Sequence, residues 1–348
     1  MKKIFLQLAF IFLFSNSFFA QEVPEVQRPL ITKIAATWCP PCGGWGWDFF
    51  EDLVIDNEAK ATMIVAHHDG QLVTAAGDAF SSNFNSPYQP YFYVYNDDVG
   101  ANSSNGATKR TEVKDMVDVE AAKSPVANAG MYLWLSGNNN LTIDTKTKFF
   151  QAASGEYYIG VYAVEDEVIN FQQGQGDNAV HEKILRGSLT SEIFGEFLMS
   201  GDISVGSEFL NSFSFQLDDT WNLNHLEIVT IIWKKEGNTY VAINTNLSSD
   251  FITVGNVNIL LQNASMEILP NVTSSQAIVN IDLEKELENA TIELFDLDGK
   301  KITDIFQGKL KNGNSQFTIE RNSVAVQGMY FVVLKSNQKV ITKKVIFN

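Results

Sequence analysis

The chain has 348 residues, with 25 Lys+Arg against 41 Asp+Glu, four histidines, two cysteines and a formal charge of −16. That balance excludes the basic surface that nucleic acid or an anionic membrane requires. Two cysteines and four scattered histidines do not make a four-ligand zinc cluster, and no cofactor-binding motif is present, so neither metal nor cofactor is expected.

Lys2 and Lys3 followed by the apolar stretch 4–14 read as a secretory signal. Cleavage is expected after Ala20; cleavage after Ser17 is the alternative, with Ser15 and Ser17 at the small-residue sites. About 328 residues then remain, enough for two or three domains. Export places the cysteines where a disulfide is permitted. No transmembrane helix is expected in the mature chain, since the apolar run 226–233 is far too short to span.

Residues 30–123 alternate as a small α/β domain does. Strands are expected at Leu30–Ala36, 61–67 and 91–95, with helices at 43–57, 71–83 and 111–122. The only cysteines fall between the first strand and first helix, in Trp38-Cys39-Pro40-Pro41-Cys42. A thiol there meets unpaired backbone N–H groups and the positive end of a helix dipole, which favour the reactive thiolate. Two intervening residues let Cys42 resolve a mixed disulfide formed on Cys39. Cys39 is expected to be the more exposed and more acidic thiol, with Cys42 buried below it.

From residue 124 the pattern turns to short strands, at 131–136, 141–149, 157–164, 209–217, 226–233 and 239–245, suggesting an antiparallel β-sandwich over 124–246. Residues 247–267 read as a linker. Residues 268–348 form a third, all-β unit, with strands at 277–283, 290–297, 301–306, 316–319, 329–335 and Lys339–Phe347. Residues 21–264 carry 13 Lys+Arg against 31 Asp+Glu, whereas residues 265–348 carry ten of each. A neutral tail on an acidic body points to a separately functioning unit.

Three stretches resemble known families. The segment from Ala36 to Cys42 resembles the active-site turn of exported thioredoxin-fold proteins with a Trp-Cys-Pro-Pro-Cys centre. That resemblance implies a cis-proline facing the cysteines, for which Pro90 in Gln89-Pro90-Tyr91-Phe92-Tyr93-Val94 is the candidate and Pro87 the alternative. It makes Cys39, Cys42, Pro90 and Trp38 the expected catalytic residues. Where that fold often has a buried acidic proton relay, six positions before the first cysteine, this chain has Lys33. Residues 30–245, including Tyr158-Ile159-Gly160-Val161-Tyr162-Ala163-Val164-Glu165-Asp166 and His181-Glu182-Lys183-Ile184-Leu185-Arg186-Gly187, resemble the outer-membrane-protein-28-related family of the Bacteroidetes. Residues 268–348 resemble the C-terminal sorting domain of type IX secretion cargo, through Leu269-Pro270-Asn271, the hairpin Leu297-Asp298-Gly299-Lys300-Lys301, and Gly328-Met329-Tyr330-Phe331-Val332-Val333.

Other candidates have structural explanations. His67 and His68 point to opposite faces of a strand and do not share a metal, although one can face the cysteine turn. Asp296-Leu297-Asp298-Gly299 fits a hairpin turn better than a calcium loop. His181 and Arg186 are simplest as structural residues, and Gly174-Gln175-Gly176 is a loop outside any strand–helix nucleotide context. The expected fold is multidomain α/β plus all-β: a thioredoxin-like domain at 30–123, a β-sandwich at 124–246, and an Ig-like sorting domain at 268–348. Two functions are expected from this organisation. One is thiol–disulfide exchange on extracytoplasmic protein thiols and disulfides at the cell surface, the outer membrane or after secretion. The other is surface binding or adhesion, with a structural disulfide and a recognising sandwich. In both the partner of residues 268–348 is the type IX secretion machinery.

Overall fold

Strand β1 (Leu30–Ala36) is buried along its whole length, because it is flanked on both sides in its sheet and covered on both faces. A buried run of this kind, apolar apart from Thr32 and Lys33, belongs to a central strand rather than to one with a solvated face. The computed structural model describes residues 23–136, 139–254, 264–296, 301–324, 327–336 and 339–348. The expected signal segment 1–20 and the turn residues 297–300 lie outside the described residues.

After β1 come the short helix α1 (Pro40–Gly43), α2 (Trp45–Asn57), β2 (Thr62–Asp69), α3 (Ala75–Asn83), β3 (Tyr91–Val94), β4 (Asp97–Asp98) and α4 (Gly106–Ala121). β2 runs parallel to β1, and β3 antiparallel to it. The helix expected over 43–57 is interrupted at Gly44, whose φ −101° and ψ −120° lie outside the helical region. α3 starts at Ala75, later than expected, because Thr74 caps it: its hydroxyl accepts from the Gly77 amide at 2.9 Å.

The next stretch supplies β5 (Ala127–Ser136), β6 (Asn140–Phe149), β7 (Ala153–Glu165), β8 (Val168–Gln172), β9 (Gly176–His181), β10 (Ile184–Ser188), β11 (Glu196–Ile203), β12 (Glu208–Gln216), β13 (Leu226–Glu236), β14 (Thr239–Ser248) and β15 (Phe251–Val254). Strands from both sides of the expected 123/124 boundary share one sheet, in the order β14-β13-β7-β10-β2-β1-β3-β4, with β11 also on β7. β10 is the seam: it lies parallel to β2 and antiparallel to β7. The Val65 amide donates to the Lys183 carbonyl at 2.7 Å as the two strands meet. A second sheet, β12-β6-β5-β15, lies over this region, and β8–β9 is a separate hairpin.

β7 is buried on both faces. Ile159, Val161 and Ala163 join Leu133 and Ile143 of the second sheet in one core, while Tyr162 and Val164 join Phe80 of α3 and Trp233 of β13 in another. The Trp233 indole N–H donates to the Tyr162 hydroxyl at 2.8 Å, so the largest side chain of that core keeps its polar atom satisfied. Within the expected linker 247–267, Phe251 is buried and β15 pairs parallel with β5, while β16 (Ala264–Leu269) belongs to the following unit.

That unit is built on residues 264–334 and 343–348. It contains β16, β17 (Val272–Thr273), β18 (Gln276–Leu283), β19 (Leu287–Asp296), β20 (Lys301–Leu310), β21 (Gly313–Glu320), β22 (Gly328–Ser336) and β23 (Lys339–Phe347). The strands form one sheet of β16-β18-β21 and another of β17-β23-β22-β19-β20. Ala277, Val279, Ile281 and Leu283 alternate inward on β18, and Ala290, Ile292 and Leu294 do so on β19, the period of a strand with one buried face. The chain is therefore mostly β, in several sheets and more than one compact unit. Among the described residues no helix is long and apolar enough to cross a membrane.

If β10 ties residues 30–69 to residues 153–248, the body should unfold in one step. Leu185 on β10 is fully buried, so Leu185→Ala should cost about 2–5 kcal/mol. Urea unfolding followed by tryptophan fluorescence and by far-ultraviolet dichroism should then shift together. Separate transitions at the two probes would show that the two stretches are independent.

Candidate functional site: the Cys39–Cys42 turn

The chain leaves β1 at Ala36 and turns at once. The Cys39 amide donates to the Ala36 carbonyl at 3.2 Å, and α1 begins one residue later, with Pro40 in the first helical position where a missing N–H costs nothing. The Cys42 amide donates to Cys39 Sγ at 3.2 Å. Cys39 and Cys42 are joined as a disulfide with their Cα atoms 5.3 Å apart, inside the usual span.

The Gln89–Pro90 peptide is cis, and the Gln89 carbonyl oxygen lies 3.5 Å from Cys39 Sγ. The Pro90 ring packs on Gly46 of α2, where a Cβ would come within 2.6 Å of it. Trp38 is 49% exposed beside the cysteines, its indole N–H donating to Asp69 Oδ2 at 2.9 Å. The Gly70 amide and the Trp38 indole together hold the Asp69 carboxyl below its usual range. His68 Nε2 lies 3.1 Å from Gln89 Oε1. Trp38, Cys39, Cys42 and Pro90 thus gather around one turn, and His68, rather than its neighbour, faces the proline loop.

Cys39 is not the exposed thiol that the sequence predicts: it is 2% exposed and Cys42 1%. Against this turn docks the hairpin β8–β9, whose tip at Gly174-Gln175-Gly176 is read from the sequence only as a loop. Gln172 Nε2 donates to the carbonyls of Cys39 (3.2 Å) and Ala36 (3.4 Å), the Gln173 amide to Thr37 O (2.7 Å), and Gln175 Nε2 to Gly43 O (2.8 Å). Val168-Ile169-Asn170-Phe171 and Ala179-Val180 flanking a Gln/Gly tip were the available signal for this hairpin.

Below the turn, Lys33 points from β1 toward α2 and is 4% exposed. Its Nζ lies 5.3 Å from the Phe50 ring centre and 5.6 Å from that of Trp47, so two aromatic faces receive the cation. A cavity of about 20 Å³, room for a single water, is lined by Lys33, Glu51, His67, Gln172, His181 and Glu182. Burial pushes the Lys33 ammonium down to about 7, opposed by Glu51. Burial, then the Lys33 charge, takes His181 down to about 4. Burial and His181 put His67 well below its ordinary value. The two imidazoles meet edge to face with centres 5.6 Å apart, and neither ring nitrogen of His67 has a protein hydrogen-bond partner among the described residues. Among those residues no group of three or more His, Cys, Asp or Glu could hold a metal. His181 and Arg186 are separated by this arrangement: Arg186 pairs with Glu165 at 3.1 Å and lies over the Trp221 ring.

Lys33 fixes a pH dependence. The unfolded chain keeps this proton to about pH 10.4, whereas the folded protein releases it near 7. Between those values the unfolded state binds more protons, so stability rises with pH from about 7 to about 10. Lys33→Met should therefore stabilise the protein by a few kcal/mol at pH 6 and flatten the rise above pH 7. Urea unfolding at pH 6 and pH 9 checks this, and an unchanged slope with pH would refute it.

Residues 267–348 match the family of secretion system C-terminal sorting domains. Among solved structures, HBP35 of Porphyromonas gingivalis matches over 94% of this chain and 100% of its own, with a TM-score of 0.56 at 16% identity, a likeness of fold alone. Dimeric latent PorU from Porphyromonas gingivalis matches at 11% identity over 72% of this chain and 38% of its own, with a TM-score of 0.20. No curated protein matches the chain. The tail is a type IX C-terminal sorting domain, which implies recognition by that secretion system and export to the cell surface or the medium.

Proposed function

We propose that residues 30–123 are a thioredoxin-like unit whose Cys39–Cys42 couple exchanges disulfides with extracytoplasmic proteins. The observation that carries this reading is the disulfide at the end of β1 with the Gln89–Pro90 loop set against Cys39. Cys39 is the nucleophile and Cys42 the resolving thiol, while Pro90 and Trp38 shape the groove in which a substrate chain lies. In the reducing direction the Cys39 thiolate attacks a substrate disulfide, forming a mixed disulfide and expelling one substrate thiolate. The Cys42 thiolate then attacks Cys39 Sγ, closing the Cys39–Cys42 bond and releasing the second thiolate. Two electrons pass from the pair to the substrate; the same bonds traversed backwards oxidise a substrate dithiol. The resemblance of residues 30–245 to the outer-membrane-protein-28-related family, and an Ig-like form for the tail, belong to the same reading.

One observation favours a second reading. Both cysteines are buried, as befits a structural clamp in a surface-binding protein whose sandwich recognises the partner.

An equilibrium titration of the protein against glutathione, read by thiol alkylation and mass, separates the two. Exchange expects the couple to titrate above about −300 mV, and a disulfide still closed below that potential is a structural clamp. In the same experiment Cys42→Ser should accumulate a mixed disulfide on Cys39, and Cys39→Ser should form none. For the tail, removal of residues 268–348 should leave the protein in the periplasm of a host with the type IX system. A truncated protein that still reaches the surface would remove the sorting role.

A further inference from the structure

The Gln/Gly segment at residues 172–176 has no role in the chemistry above, yet it donates to four carbonyls of the cysteine turn, those of Ala36, Thr37, Cys39 and Gly43. Gln172, itself fully buried, spans two of these carbonyls. The fit extends to the backbone. A Cβ on Gly43 would stand 2.0 Å from the Gln173 carbonyl oxygen and 3.0 Å from Gln172 Cγ, and one on Gly174 would stand 3.1 Å from the Gly43 oxygen. Gly174 has φ +99°, a conformation that glycine adopts without strain. Two glycines, one on each side, therefore allow the tip to lie flat on the turn. The other flank is held by Gln89, leaving Trp38, Pro40, Pro41 and Gly44 as the exposed edge.

We infer that the β8–β9 hairpin is a specificity-determining cover of the Cys39–Cys42 disulfide, closing its Gly43 flank, so that a reacting sulfur is reached only when the tip at residues 172–176 lifts. Lifting strips N–H donors from the carbonyls of Ala36, Thr37, Cys39 and Gly43; those of Ala36 and Cys39 keep amides of the turn itself as donors, so the loss falls chiefly on Thr37 and Gly43. Leaving acceptors unpaired is costly, so the tip lifts readily only for a partner that supplies donors in return. An extended polypeptide carries backbone N–H groups at the needed spacing, and a small thiol carries few. The preferred substrate class is therefore a polypeptide thiol or disulfide in an extended segment. This deepens the exchange reading and rests on it for the substrate class; the closure itself is a property of the fold.

Gly43 lies in a helical turn, so alanine suits its backbone and acts only by pushing the tip away. The measurement is the rate at which tris(2-carboxyethyl)phosphine opens the disulfide in the full chain, read by alkylation. Each event consumes one phosphine and one water and yields a phosphine oxide and two thiols, with no need for a protein substrate. Gly43→Ala should speed reduction about tenfold, and Gln172→Ala should speed it less, while the amides of β1 keep their protection from hydrogen exchange. Rates equal to wild type in both variants would overturn the inference. So would an acceleration accompanied in both by lost protection in β1, since the fold rather than the hairpin would then have opened. A glutathione titration showing no exchange, beside a faster Gly43→Ala reduction, would sink the exchange reading and leave the cover standing.

Discussion

The pairing of β10 with β2 is the constraint on which the body depends. A parallel sheet needs a strand on each side of its centre, and β2 would otherwise present a row of unpaired amides and carbonyls along a buried apolar strand. β10 meets that edge at Val65 and, on its other side, pairs with β7, so the α/β stretch and the long antiparallel strands become one sheet. The N-terminal segment strengthens the join. Arg28 donates its amide to Asn244 Oδ1 at 2.7 Å, and the Asn244 side-chain amide donates to the carbonyls of Val26 and Ala127. Because β10 follows directly from β8–β9, the same pairing fixes where the hairpin stands: it brings His181 against His67 and the Gln/Gly tip against the cysteines.

What was legible in the sequence follows from how local its cause is. β1 and β2 are mainly apolar runs, and the cysteine turn is fixed by Pro40 and Pro41, so both were readable from neighbouring residues. The strands of the tail alternate with a period of two and were readable for the same reason. β10, β8 and β9 were not. Each is five or six residues long, and their pairing partners lie far away or across a glycine-rich tip. A β-strand whose stability comes from distant partners has weak intrinsic preference to betray it. The break at Gly44 belongs to the same class: the glycines were visible, but only the docked hairpin explains why Gly43 has no side chain. Phe251 shows the converse, a buried aromatic inside a segment whose polarity read as a linker.

Lys33 sets the electrostatics beneath the disulfide. Burying an ammonium among Phe50, Trp47 and two neutral histidines is unfavourable unless the rings and Glu51 offset part of the lost hydration. The group answers by becoming easy to deprotonate. Near neutral pH the cluster therefore alternates between a cation and a free amine, which can accept a proton. A buried carboxylate in the same position would accept a proton while repelling thiolate. The substitution of charge type changes which half of thiol chemistry the protein environment assists.

These features bear on one another through the hairpin. Gln172 lines the lysine cavity and also holds the carbonyls of the cysteine turn, so lifting the tip uncovers the sulfurs and opens the cavity to water in a single movement. Hydration of Lys33 would then remove the burial that lowers its proton affinity, and the amine would become a cation as the disulfide becomes reachable. A closed turn keeps the cavity dry over an amine of reduced basicity; an open one would let that amine hold its proton. Access and the hydration of Lys33 are thus two results of one displacement, and both originate in the tip at residues 172–176, where β8 turns into β9.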